Sequence, residues 1–199
     1  MSKNIENIKI PLSFAQQRLW FLDQLEGASA AYNISTTLRL QGMLNLSVFE
    51  RAFVAIIIRH NVLRTVLVTV NETPAQQILP DLPFAIPVVD LSALSFEQQT
   101  DQTKQIATHD AQQPFDLVHG PLLRASLLKL DENDHILLLT MHHIISDSWS
   151  LELLLRELAS LYTAFIATQP PDTESPLPEL PIQYADFSVW QRNLSLIHI

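Results

Sequence analysis

Apolar and polar positions along this chain switch between a helical and a strand period, and the switches predict most of its elements. Ser13 followed by Gln16 is a capping-box pattern, and Leu19, Trp20 and Leu22 carry it into a helix ending near Gly27. Residues 32–40 alternate as a strand. Asn45 is placed to cap a second helix, with Leu46, Phe49, Phe53 and Ile56 or Ile57 at helical spacing. That helix runs into Arg59, His60 and Asn61. The β-branched run 64–70 then predicts a strand, with 75–79 as a short partner for it. Residues 79–91 hold three prolines and read as irregular at both ends, and 95–113 read as a polar surface helix. Residues 122–130 and 135–141 predict a hairpin joined by the polar segment 131–134, and 149–166 predict a buried helix.

Five prolines fall between Pro170 and Pro181, which marks a linker or crossover and not an element interior. Residues 183–192 are amphipathic and aromatic and predict one more helix. The chain stops a few residues later, before that helix has met a partner. No internal repeat is present.

The apolar run from Ile136 to Met141 ends in two adjacent histidines, His142 and His143, with Asp147 four residues after the second. This puts an imidazole at the mouth of a strand, where a core meets solvent or substrate. An imidazole with an ordinary pKa of about 6.5 accepts a proton at neutral pH. Three readings stand open. Both histidines cap the strand, one in the core and one solvated. Alternatively His142, His143 and Asp147 bind a metal, a poor arrangement because adjacent strand residues point to opposite faces. In the third reading one histidine faces a cleft as a base while the other packs, and Asp147 fixes the loop or caps the following helix. Arg64 is placed to pair with a buried carboxylate.

The 199 residues suit one domain or one lobe of a larger one, and 47% hydrophobic with 17% charged residues describes a folded globule. A net charge of −9 argues against a nucleic-acid partner. With no cysteine, disulfides, thiolate metal sites and cysteine nucleophiles are excluded. No apolar run reaches the about 18 residues of a membrane span, and the first ten residues lack the apolar core of a secretory signal, so a soluble cytoplasmic protein with no membrane partner is expected.

The segment from His142 to Ser150 (HHIISDSWS) resembles the HHxxxDG motif of condensation domains in nonribosomal peptide synthetases. Four more segments resemble the same family in order: 13–22 (SFAQQRLWFL), 59–65 (RHNVLRT), 114–117 with 120–124 (PFDL and GPLLR), and 184–190 (YADFSVW). Together they span nearly the whole chain. The resemblance implies an α/β, chloramphenicol-acetyltransferase-like lobe, a mixed sheet flanked by helices in an α+β sandwich. It implies amide-bond formation between two carrier-bound thioesters. His143 would be the catalytic histidine and His142 its support, with Asp147 structural and salt-bridged to Arg64. Ser148, Trp149 and Ser150 would support the site. No cofactor would be bound directly, because the substrates ride on the 4′-phosphopantetheine of upstream and downstream peptidyl carrier domains. An adenylation domain would be adjacent.

Two departures stand out. Ser148 occupies the family's glycine position, and if that position needs φ > 0 or close backbone approach, serine suits it poorly and lowers activity. The family's domains are also longer and carry two lobes around a substrate tunnel. The expected division is an N-terminal lobe at 1–168, a crossover at 169–182, the start of a C-terminal lobe at 183–193, and a tail at 194–199 that resembles a translated sequencing adapter. The missing C-terminal lobe would complete the tunnel, so the fragment alone is expected to be inactive. The paired histidines argue against heterocyclising relatives, Trp149 before Ser150 looks more like condensation than epimerisation, and residues 31–34 resemble domains joining two L-residues. Two alternatives remain: a stand-alone acyltransferase completed by oligomerisation, and a non-catalytic lobe that docks carrier proteins.

Overall fold

The computed structural model describes residues 10–27, 29–167 and 175–195. The expected crossover therefore lies partly, and the expected tail mostly, outside the described residues.

Helix starts follow from side chains able to satisfy free backbone N–H groups. In α1 (Phe14–Glu26) the Ser13 hydroxyl accepts the N–H of Gln16 and the Gln16 side chain returns to Ser13, and Gly27 ends the helix with φ 75°. In α2 (Leu46–Arg59) Asn45 accepts from the N–H of Val48. In α3 (Phe96–Gln112) Ser95 and Gln98 repeat the reciprocal pattern of Ser13 and Gln16. The last two helices are α4 (Ser148–Ala167) and α5 (Tyr184–Ser195).

The strands of the described residues form two sheets. The larger has the order β2 (Asn33–Gln41), β7 (Asp134–His142), β6 (Leu123–Asp131), β5 (Val88–Asp90). Its first two pairings are antiparallel, while β5 runs parallel to β6, so the expected mixed sheet is present. β5 is a short strand inside the proline-rich stretch that reads as irregular. The smaller sheet pairs β1 (Ile10–Pro11), β4 (Thr73–Ile78) and β3 (Thr65–Val70), all antiparallel. Between β3 and β4, Asn71 and Glu72 both take positive φ (49° and 64°), as a tight two-residue hairpin requires.

Strand β7 explains why the run before the histidines is apolar without interruption. Leu137, Leu139 and Met141 join the main core with Phe53 and Ile56 of α2 and Leu158 and Leu161 of α4. On the other face, Leu138 and Leu128 pack with Leu91, against Ile106 of α3. A central strand covered on both faces has no polar face to show. Helix α3 is held to the sheet by polar contacts as well. Arg124 donates to the carbonyls of Asp110 and Gln113 (both 2.8 Å), and Thr140 donates to the Asp110 carboxylate (2.5 Å).

Helix α5, which the sequence pattern leaves without a partner, is docked on this body. Gln183 accepts from the N–H of Asn61 and donates to the carbonyl of Arg59, Gln191 accepts from the N–H of Phe14, and Arg192 donates to the carbonyl of Leu12. Among the described residues no helix is long and apolar enough to cross a membrane.

Candidate active site

The site grows from the end of β7. His142 is its last residue, held by its N–H to the carbonyl of Leu122. The chain then leaves the sheet through a turn in which the N–H of Ile145 bonds back to the carbonyl of His142 (3.1 Å). The next segment opens α4. Two adjacent histidines at such an exit have opposite fates: His142 is 1% exposed, whereas the His143 side of the turn faces solvent.

The buried imidazole is a packing group. Its ring lies 6.2 Å, centroid to centroid, from both Tyr32 and Phe115. Phe115 is itself clamped under the guanidinium of Arg124, 3.8 Å from its ring. Nδ1 of His142 accepts the N–H of Ile144 (3.1 Å), which shapes the turn. Burial, with the neighbouring His143 as the smaller cause, pushes its pKa down from 6.5 to about 4, so it is neutral at physiological pH.

The exposed imidazole has one nitrogen already committed. Nδ1 of His143 lies 2.6 Å from the carbonyl oxygen of Ser146. A carbonyl only accepts, so Nδ1 carries the hydrogen and the neutral ring presents an unprotonated Nε2. A histidine held this way has the form that takes a proton from a substrate. Ser146 is in turn fixed by its hydroxyl, which donates to the carbonyl of His142 (3.3 Å).

Asp147 caps α4. Its carboxylate accepts the N–H of Ser150 (2.7 Å), and its own N–H bonds to the Ser150 hydroxyl (2.7 Å). The Ser150 N–H, with burial opposing and the Ser150 hydroxyl and His143 assisting, holds the carboxyl below its ordinary range. The salt bridge to Arg64 is not formed. Arg64 instead donates to the carbonyls of Ile57, Leu79, Pro80 and Ile58 and to Asn61 Oδ1, tying the end of α2 to the end of β4. A carboxylate that accepts the Ser150 N–H at the head of its own helix has no need of a distant cation, and Arg64 has its five donors occupied locally. The buried carboxylate that does take a cation is Glu157 of α4. It accepts from Arg59 (3.3 Å) and pairs with His60 (2.6 Å), joining α2 to α4 behind the turn.

Ser148 is the first residue of α4, and its φ is not positive. The backbone reason for a glycine is therefore absent here. Trp149 is 68% exposed on the first turn. Ser150, a supporting residue by resemblance, is the reciprocal partner of Asp147. His142, His143 and Asp147 do not converge as a metal site would require, because one ring is buried, one is outward and the carboxylate turns back on α4.

Sequence reasoning missed Ser146, whose carbonyl selects the tautomer of His143, because a backbone acceptor leaves no residue-type signal. It also missed Glu157, which did leave one: with Leu154, Leu158 and Leu161 it lies on the inward stripe of α4, a carboxylate where an apolar residue belongs.

A family model described as Condensation domain matches residues 6–196. The chain is 46% identical over 182 residues, 92% of its length, to chondramide synthase of Chondromyces crocatus, and covers 5% of that protein. It is 43% identical over 185 residues, 93% of its length, to phosphinothricin tripeptide synthetase PhsC of Streptomyces viridochromogenes, covering 17% of it. The fold superposes on the starter condensation domain of rhizomide synthetase RzmA with a TM-score of 0.83 at 25% identity, over 95% of this chain and 44% of that one. The chain thus spans a small part of these synthetases and under half of the condensation-domain structure.

Proposed function

The chain belongs to the condensation-domain family, and from that premise we propose that it forms amide bonds between two carrier-bound thioesters in nonribosomal peptide synthesis. The observation that carries the proposal is the His143 imidazole, outward at the end of β7, with Nδ1–H committed to Ser146 and Nε2 free to accept.

In the reaction the amine of the downstream aminoacyl group attacks the upstream thioester carbon, forming the C–N bond. Nε2 of His143 accepts a hydrogen bond from that amine and takes its proton as the tetrahedral intermediate forms. Collapse breaks the C–S bond, the protonated His143 gives its proton to the departing phosphopantetheine thiolate, and the thiol leaves with the ring neutral again. In the resting ring Nε2 carries no hydrogen, so its first role is to accept from the attacking amine. The tautomer therefore favours orienting and deprotonating the amine. A general base contributes about 10²–10⁴-fold, whereas effective molarities of oriented reactants exceed about 10⁵ M, so positioning of the two tethered substrates supplies most of the rate.

The described body is one lobe of the domain in this reading, with the remainder supplying the other wall of the tunnel. Its partners are the upstream and downstream carrier domains and an adjacent adenylation domain, in the cytoplasm. His142 and Phe115 hold the strand end, while Asp147 with Ser150 sets the start of α4.

The test supplies the domain that contains this lobe with two carriers, one loaded with an acyl donor and one with an aminoacyl acceptor. Intact-protein mass spectrometry is expected to show the donor mass transferred to the acceptor carrier. Correctly loaded carriers that exchange nothing in the presence of folded domain would overturn the proposal.

A further inference from the structure

Between the turn that carries His143 and helix α5 lies a closed set of buried polar side chains. Ser13 and Ser188 are 0% exposed and Gln16 and Gln76 1%. Gln16 accepts the N–H of Ser13 (3.0 Å) and donates through Nε2 to Gln76 Oε1 (3.2 Å) and to the carbonyl of Ile144 (3.4 Å). Gln76 donates to the carbonyl of Pro11 (2.9 Å) and to the Ser188 hydroxyl (3.1 Å). Ser188 donates to the carbonyl of Tyr184 (3.1 Å), and the Tyr184 hydroxyl meets the Ser13 hydroxyl at 2.9 Å.

Each amide N–H₂ of the two glutamines has both hydrogens placed, so neither side chain can flip without leaving buried groups unpaired. The set touches the end of β1, the cap of α1, strand β4 and helix α5. At its other end it touches the carbonyl of Ile144, the residue after His143. An apolar cluster in this place would tolerate sliding, whereas fully used amides allow one arrangement.

We propose that Gln16 and Gln76 are positioning residues that transmit the seating of α5 to the backbone of the turn at Ile144, and so aim the His143 imidazole. Its importance for the reaction rests on the proposed function above, but the coupling is a property of the fold and is tested without turnover. Displacing α5 moves Ser188, Ser188 moves the Gln76 amide, and Gln16 follows because its hydrogens have no other acceptor. The Ile144 carbonyl then loses its donor, and the contact between His143 Nδ1–H and Ser146 loses its fixed geometry.

The experiment reads which imidazole nitrogen of His143 is protonated, by long-range ¹H–¹⁵N correlation on the 199-residue chain. It is run at about pH 8, where an ordinary imidazole is neutral. The Nδ1–H form is expected to dominate. Gln16→Met keeps the volume and removes the amide; Ser188→Ala removes the hydroxyl on α5. Each is expected to raise the Nε2–H form about fivefold, the weight of one neutral hydrogen bond. The double variant is expected to add little to either, because both cut one path. Ile106→Ala, on the opposite side of the sheet, is expected to destabilise the fold without moving the His143 signals.

Unchanged His143 signals in folded Gln16→Met, or equal movement in Ile106→Ala, would overturn the proposal. Should Gln16→Met not fold, Ser188→Ala decides alone, and unchanged signals there are equally fatal. Failure of the carrier assay would leave these results untouched.

Discussion

Acid should unfold this chain partly through His142, in a way that one substitution isolates. The imidazole is 1% exposed, lies between Tyr32 and Phe115, and accepts the N–H of Ile144. Burial first, and His143 second, lower its pKa from 6.5 to about 4. The unfolded chain therefore protonates this residue near pH 6.5, and the folded chain only near pH 4. Between those values the unfolded state holds more protons, so stability falls as pH falls. The contribution is fully present above about pH 6.5 and is lost on the way down through about pH 4. At about 1.4 kcal/mol for each pH unit, the loss amounts to about 3 kcal/mol. Urea unfolding of the native chain and of His142→Phe, at several pH values from about 7 to 4, measures it. The variant is less stable at neutral pH because the Ile144 N–H loses its acceptor, but its stability falls less steeply with acid. All other titrating groups are common to both proteins, so the difference in slope belongs to His142. Equal slopes would show that the buried ring protonates as readily in the fold as outside it, and would refute the reasoning.

Four further substitutions follow from the site. Asp147→Ala removes the cap of α4 and should cost about 0.5–2 kcal/mol by chemical denaturation, while an Arg64→Ala, Asp147→Ala cycle should show no coupling beyond about 0.5 kcal/mol. Glu157→Ala leaves Arg59 and His60 facing an unpaired, largely buried space and should cost about 3–5 kcal/mol, measured in the same way. Ser148→Gly should not raise condensation activity and should change stability by under about 1 kcal/mol, because the native backbone at this position makes no use of glycine's freedom.

Local signals in the sequence located nearly every element. Ser13, Asn45 and the polar turn at 131–134 act within a few residues of themselves, and their consequences appear where the pattern puts them. The opposite fates of His142 and His143 were equally legible, since strand alternation separates neighbours by face, and so was the capping role of Asp147. Distant pairings were not legible. Arg64 was matched to Asp147 by resemblance, yet it is occupied by carbonyls brought to it by the end of α2 and the end of β4. The side chains that meet a buried carboxylate are Arg59 and His60, and their partner is 97 or 98 residues away in Glu157. Helix α5 looked partnerless because its contacts, to Leu12, Ser13 and Phe14, to Arg59 and Asn61 and to Gln76, all lie far from it in sequence. Gln16 read correctly as the third residue of a capping box, but its second role needs Gln76 and Ile144, which no local pattern places beside it.

The central claim is that Nε2 of His143 takes the proton of the attacking amine. Single-turnover amide formation between loaded carriers, with His143→Ala set against the unaltered domain, tests it most directly. The expected result is a fall of about 10²–10⁴-fold with carrier binding and stability retained. A folded His143→Ala domain that forms the amide at the unaltered rate would contradict it.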